Sequence, residues 1–195
     1  MKKYFLLIVL IAVYNPNYAQ TKNEIAAFYG MSAGSAKYCV LRSGNLDGAG
    51  SGSLKLGYSL SLRYITGIEN HNKMSIETGV DFLTGKLEIT PAFTGGPISG
   101  VYVVEELNLT SIPIFINHYF GDLLFLNEGI MLDFQNAGAE NYTGIGVGIG
   151  FGVGVRHKHN NFTFYLNPVC RKHLFLSEKY GLAEWGVKFG IGYLL

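Results

Sequence analysis

Charge is scarce in this chain. Asp, Glu, Lys and Arg make up 15% of its 195 residues, where a soluble domain carries about a quarter, so an ordinary water-facing surface is hard to build from them. The net charge is only +1, which gives no reason to invoke nucleic acid, whose phosphates call for a basic surface. No long hydrophobic run follows Val13, and a membrane helix of about 20 residues is therefore excluded from the rest of the chain. No cysteine stands directly after the N-terminal apolar run, which argues against a lipid anchor there. What is abundant instead is glycine, with 26 residues, and aromatic side chains, at 14%.

Lys2 and Lys3 precede the apolar run Phe5 to Val13, and Asn15 and Pro16 precede Tyr18, Ala19 and Gln20. This pattern predicts a secretory signal peptide over residues 1–19, cut after Ala19, and leaves residues 20–195 as one domain. An exported chain that is apolar on average yet lacks a spanning helix points to membrane strands.

The stretch Gly144 to Val155, GIGVGIGFGVGV, gives that expectation its geometry. Glycine stands at every second position from Gly144 to Gly154, with Ile145, Val147, Ile149, Phe151, Val153 and Val155 between. The period is two, which is a strand with one apolar and one bare face. Each interior glycine costs about 0.5–1 kcal/mol relative to Ala, so the bare face must serve a crowded interior. With Gly190 and Gly192, the glycines 144, 146, 148, 150, 152 and 154 predict a wall of small lumenal residues, with Tyr165 laid over part of it.

Seven further stretches read as strands: Ile25 to Tyr38, Leu54 to Tyr64, Lys73 to Thr84, Val101 to Tyr119, Leu123 to Gln135, Asn161 to Val169 and Trp185 to Leu195. In the second, Leu54, Leu56, Tyr58, Leu60, Leu62 and Tyr64 alternate with Lys55, Gly57, Ser59, Ser61 and Arg63, which puts the apolar set toward lipid. Pro113 predicts a local break or bulge, and Glu128 falls on the apolar face. The fold expected is all-β, an eight-stranded antiparallel up-and-down transmembrane barrel closed between its first and last strands. An even strand number puts both termini in the periplasm. Turns are then expected near Asn70, Gly121 and His159, with His157 to Asn160 reversing the chain. Longer outer loops are expected at Cys39 to Gly52, Gly85 to Gly100, Asn136 to Asn141 and Arg171 to Gly181.

The signal ending YAQ, the segment LTSIPIFINHYF from Leu109 to Phe120 and the C-terminal alternation FGIGYLL resemble the small outer-membrane barrels of the OmpA/OmpX architecture, and more closely the PorT-like barrels of Bacteroidetes. The resemblance implies a Gram-negative outer-membrane location and recognition of the last strand by the outer-membrane assembly machinery. It names no catalytic residue. Leu195 departs from the terminal Phe usual in that assembly signal.

Candidate chemistry is thin. Gly30, Met31, Ser32, Ala33 and Gly34 match G-x-S-x-G, but a nucleophile elbow needs a strand, a sharp turn and a helix, and here period two continues through Ser32. His71, His118, His157 and His159 should share one rim, which suits polar residues at headgroup level better than a metal site. The run from Gly79 to Lys86 lacks the Walker spacing, and no cofactor is expected. Cys39 and Cys170 both map to the outer end, where a disulfide would require the loop ends to lean together. Lys55, Arg63, Glu77, Asp81, Asp133 and Lys188 are the expected lumenal charges, with Arg63 against Glu77. Mixed signs in a barrel just wide enough for side chains predict a filled lumen. The function expected is a monomeric, non-enzymatic structural or interaction protein, touching outer-membrane lipid and an envelope protein partner. A lipid-acting barrel enzyme or lipid binder, and a small-solute channel, are the alternatives.

Overall fold

The computed structural model describes residues 23–42, 45–68, 71, 73–90, 103–136, 143–175 and 180–195, with side chains except at 37–51, 89, 90, 103, 105, 136, 143, 175 and 180. The expected signal peptide lies outside the described residues. Eight strands run in chain order: β1 Glu24–Arg42, β2 Asn45–Gly67, β3 Met74–Thr90, β4 Val103–Phe120, β5 Leu124–Asn136, β6 Thr143–His159, β7 Phe162–Phe175 and β8 Tyr180–Leu194. Each pairs antiparallel with its neighbour, and β1 pairs with β8 from Glu24↔Leu194 to Tyr38↔Tyr180, closing the barrel. Closure removes both sheet edges.

One end carries the tight turns. Between β4 and β5 the chain reverses at Gly121, φ 68°, and between β6 and β7 at Asn160, φ 54°. Gly and Asn are the residues that accept this left-handed conformation at least cost. The β6–β7 reversal falls at Asn160 and Asn161, not across the expected His157 to Asn160, because β6 keeps its pairing through His159↔Phe162. At the other end the strands run on past the positions where alternation of apolar residues stops. β1 and β2 stay paired to Arg42↔Asn45, so the expected loop from Cys39 to Gly52 is a hairpin; β3 likewise reaches Thr90, β7 reaches Phe175 and β8 starts at Tyr180. Once a hairpin is established, its ladder satisfies backbone groups whatever the side chains are. The rest of the expected Gly85 to Gly100 loop, the 137–142 segment and residues 176–179 lie outside the described residues.

The side-chain distribution is inverted relative to a soluble domain. Outward positions on β8 are Trp185, Phe189, Ile191 and Tyr193, all about half exposed, while Glu184 and Lys188 on the same strand are buried. On β6 the β-branched and aromatic residues face out, and Gly146, Gly148, Gly150, Gly152 and Gly154 face in. The core therefore sits inside the barrel. Ala26, Phe28, Ile65, Tyr119, Phe125 and Tyr165 fill its turn end; Ala36, Leu54, Leu83, Leu87, Leu107, Leu109 and Leu182 fill its far end.

Two local readings change. β2 carries a bulge: Leu54 pairs with Leu87 and Gly57 with Gly85, three steps against two, and the same offset appears against β1. Lys55 and Leu56 both point outward as a result, and Leu54, expected to face out, is buried inside. At Pro113 the expected break is milder. The β3–β4 ladder loses two pairs between Thr78↔Ile114 and Asp81↔Ser111 but keeps its register, since a missing donor costs a bond without demanding an extra residue. Glu128 does face outward, and it is rescued by depth and a partner: it lies near the turn end with His118 Nε2 3.5 Å from its Oε1.

Candidate functional site: the barrel interior

Between the two apolar layers lies a ring of charge. Asp81, on β3, is its hub. Its Oδ2 accepts from Arg171 Nη1 at 2.7 Å and from Lys188 Nζ at 3.0 Å, and Arg63 Nη2 closes on the same oxygen. Arg63 also reaches Glu77, Nε to Oε1 3.0 Å, although the register sets Arg63 opposite Gly79, so this pair is diagonal. Glu77 accepts a further bond from Asn117 at 3.1 Å, and Lys188 donates to Ser61 Oγ at 2.9 Å.

A second cluster stands beside it on β5, β7 and β8. Asp133 accepts from Ser111 at 2.6 Å and meets His173 Nδ1 at 2.9 Å. The other ring nitrogen, Nε2, lies 3.6 Å from Glu184 Oε1. Glu184 in turn faces Arg171 at 3.8 Å and accepts from Ser32 Oγ at 3.2 Å, which joins the two clusters. Nearer the turn end, Tyr165 donates to Glu24 at 2.6 Å, and the Arg156 guanidinium stacks over the Tyr119 ring, 3.6 Å from its centroid. All these charged groups are buried. The carboxylates Glu24, Glu77, Asp81, Asp133 and Glu184 stand among the basic side chains of Arg63, Arg156, Arg171, His173 and Lys188. Near-neutrality is what allows so many ions to be removed from water together.

Of the charges expected in the lumen, Arg63, Glu77, Asp81, Asp133 and Lys188 are there. Lys55 is not: the bulge turns it to the outer wall, where it meets Glu88 at 3.4 Å with most of its side chain exposed. Arg171, His173 and Glu184 went unread because the chain there looked like a loop. The signal was the continued alternation of Tyr165, Asn167, Val169, Arg171 and His173, interrupted in appearance only by Pro168 and Lys172.

The glycine wall is filled. A Cβ on Gly150 would stand 2.6 Å from Phe115 Cζ, one on Gly148 2.7 Å from Asp133 Oδ2, and one on Gly152 2.7 Å from Asn167 Oδ1. Phe125 lies on Gly154, the Phe28 ring on Gly190 and the Glu24 carboxylate on Gly192. Tyr165 packs between the two phenylalanines, centroids 5.3 Å from Phe28 and 5.8 Å from Phe125. Gly144 is half-buried at the upper end of the wall, opposite Gln135.

Ser32 sits mid-strand facing inward, so it is not displayed on an elbow. His157 and His159 face outward, and among the described residues no three potential ligands gather as a metal site. Cys170 is a free, outward-facing thiol. Through Cys170↔Trp185 and Ala33↔Trp185 it sits level with Ala33, six residues down β1 from Cys39, a separation of about 20 Å at strand rise. A bridge between them is therefore out of reach; the Cys39 side chain itself lies outside the described residues.

The chain matches no protein-family model and no curated protein. Solved structures are similar in fold. The outer membrane protein OprG from Pseudomonas aeruginosa aligns with a TM-score of 0.57 at 9% identity, over 91% of this chain and 98% of that one. Neisserial surface protein A aligns at 0.53 and 14% identity, over 87% and 99%. The eight-stranded closed barrel is thus a shared architecture.

Proposed function

We propose that the chain is an outer-membrane β-barrel with a structural or interaction role and a non-catalytic, side-chain-filled lumen. The observation that carries this reading is the inversion of polarity. A band of exposed apolar residues, bracketed on β8 by Trp185 and Tyr193, surrounds a buried ionic core, as a strand wall in lipid requires. The neighbours named as outer-membrane and surface proteins support the location, and the N-terminal pattern supports export by a cleaved signal. The resemblance to PorT-like barrels adds no role of its own.

Mixed charges paired with one another, capped by leucines above and aromatics below, fill the interior and give it a cohesive role. Interaction then falls to the strands standing beyond the band, which are longest in β1 to β4, and to the loops they carry. The partners proposed are outer-membrane lipid, the assembly machinery through β8, and an envelope protein at the loop end; the barrel acts as a monomer. Folded protein extracted from outer membranes should migrate faster on gels before heating than after, and should show no steady conductance in planar bilayers. A soluble protein without heat-dependent migration would overturn the location, and a stable open channel would overturn the filled lumen.

A further inference from the structure

A wall that faces hydrocarbon carries charge only where something offsets its cost. Glu128 on β5 and Lys172 on β7 are both charged, outward-facing and exposed. Glu128 stands between Ile116 of β4 and Phe151 of β6, and Leu124 and Leu126 separate it from the turn, about 13 Å of strand. Lys172 stands between Ile149 of β6 and Ala183 of β8. Neither charge is fully met by this chain. Among the described residues Lys172 has no ion pair, and Glu128 has one charged neighbour, His118 at 3.5 Å, with 55% of its side chain still exposed. A carboxylate offers about four acceptor sites, and one imidazole N–H fills one of them.

The two charges lie on one stripe. Followed round the barrel through successive ladder partners, Glu24 returns to β1 at Gly34, ten residues up the strand (34 minus 24). A row of partners therefore climbs toward the loop end from β1 to β8. The row of Glu128 runs through Phe151 to Cys170, and Lys172 is two residues further up β7. Two strand spacings and two residues make about 12 Å, and a strand tilt of about 35–45° turns that step nearly parallel to the barrel axis. Lys172 thus stands above Glu128, with Phe151 and Ile149 between them.

We propose that this stripe docks the lipid-facing wall of a second, different membrane protein, one that sets a Lys or Arg against Glu128 and an Asp or Glu against Lys172. The inference rests on the membrane reading above and adds a lateral contact to the one at the loop end. A lipid could bring a phosphate to Lys172 at the border of the band, but its acyl region carries no N–H for Glu128. A second copy of this chain does not fit either. A two-fold axis along the membrane normal brings equal depths together, which sets Glu128 against Glu128 and Lys172 against Lys172. Opposite charges supplied by another protein remove both conflicts, and away from water they attract more strongly than at an exposed surface.

The test is photocross-linking in cells that make the protein naturally, with Phe151 replaced by p-benzoylphenylalanine and a control probe at Phe82 on β3. The probe at 151 should capture one membrane protein that the probe at 82 does not, with a basic residue on its lipid-facing wall. Glu128→Gln should lower the yield more than about tenfold, as truncating one member of a desolvated charge pair does. Glu128→Lys should abolish it, and changing the captured protein's basic residue to Glu should restore it in that background. Adducts at 151 with lipid alone, with a second copy of this chain, or with a protein captured equally from 82 would overturn the proposal, as would a yield that Glu128→Gln and Lys172→Gln leave unchanged. Lipid adducts from both probes without a protein partner would count against the docking alone; no lipid adducts, with the protein in the soluble fraction, would count against the membrane reading.

Discussion

At the scale of single residues, stability rests on groups that cannot be changed one at a time. Asp81 holds Arg63, Arg171 and Lys188 together and is 2% exposed. Asp81→Asn would leave three buried cations around a neutral amide, and removal of one member of a buried ionic cluster costs about 3–5 kcal/mol. Urea titration of the barrel in lipid vesicles should show that loss. Lys55→Ala, which removes an exposed pair with Glu88, should stay within about 1 kcal/mol of wild type in the same assay. Gly150 makes the complementary case. Gly150→Leu would drive a side chain into the Phe115 ring and should cost about 1–3 kcal/mol by overpacking. Combining it with Phe115→Ala should restore part of that loss; a Gly150→Leu variant as stable as wild type would instead reveal spare room beside the ring.

The single strand is the scale at which alternation is both reliable and blind. Over Phe162 to Asn167 and Trp185 to Tyr193 the alternation of side chains already separates outer wall from lumen, because a buried face and a lipid face select opposite residue types at period two. The bulge at Lys55 and Leu56 escapes this reading. One extra residue leaves no mark of its own in the sequence, and either phase of Leu54 looks acceptable when the lumen is also partly apolar. It follows that, with Cys39 and Cys170 replaced by Ser, Lys55→Cys should react with a water-soluble maleimide and Leu54→Cys should not; the reverse pattern would mean the strand has no bulge. The upper halves of β7 and β8 were hidden for another reason. Arg171, His173 and Glu184 look like loop residues when taken singly, and only their pairing with one another and with Asp81 and Asp133 across the barrel, which a linear reading cannot supply, makes them interior. The Arg63–Glu77 pair was legible because adjacent hairpin strands bring it within a two-residue offset.

Taken as a whole, the molecule is a barrel turned inside out, with ions and glycines within and aromatics and aliphatics without. Neither face would fold around a core in water alone, and a low fraction of charged residues is what an outer wall of this polarity needs in order to meet hydrocarbon. The most direct test is a spin-label scan of residues 185–193 on β8 in reconstituted vesicles, on a background without Cys39 and Cys170. Labels at Val187, Phe189 and Ile191 should be accessible to oxygen dissolved in the bilayer and shielded from a water-soluble nickel reagent. Labels at Gly186, Lys188 and Gly190 should be shielded from both. The account predicts that two-residue alternation; high nickel accessibility at Val187, Phe189 and Ile191 would place the apolar wall in water and contradict it.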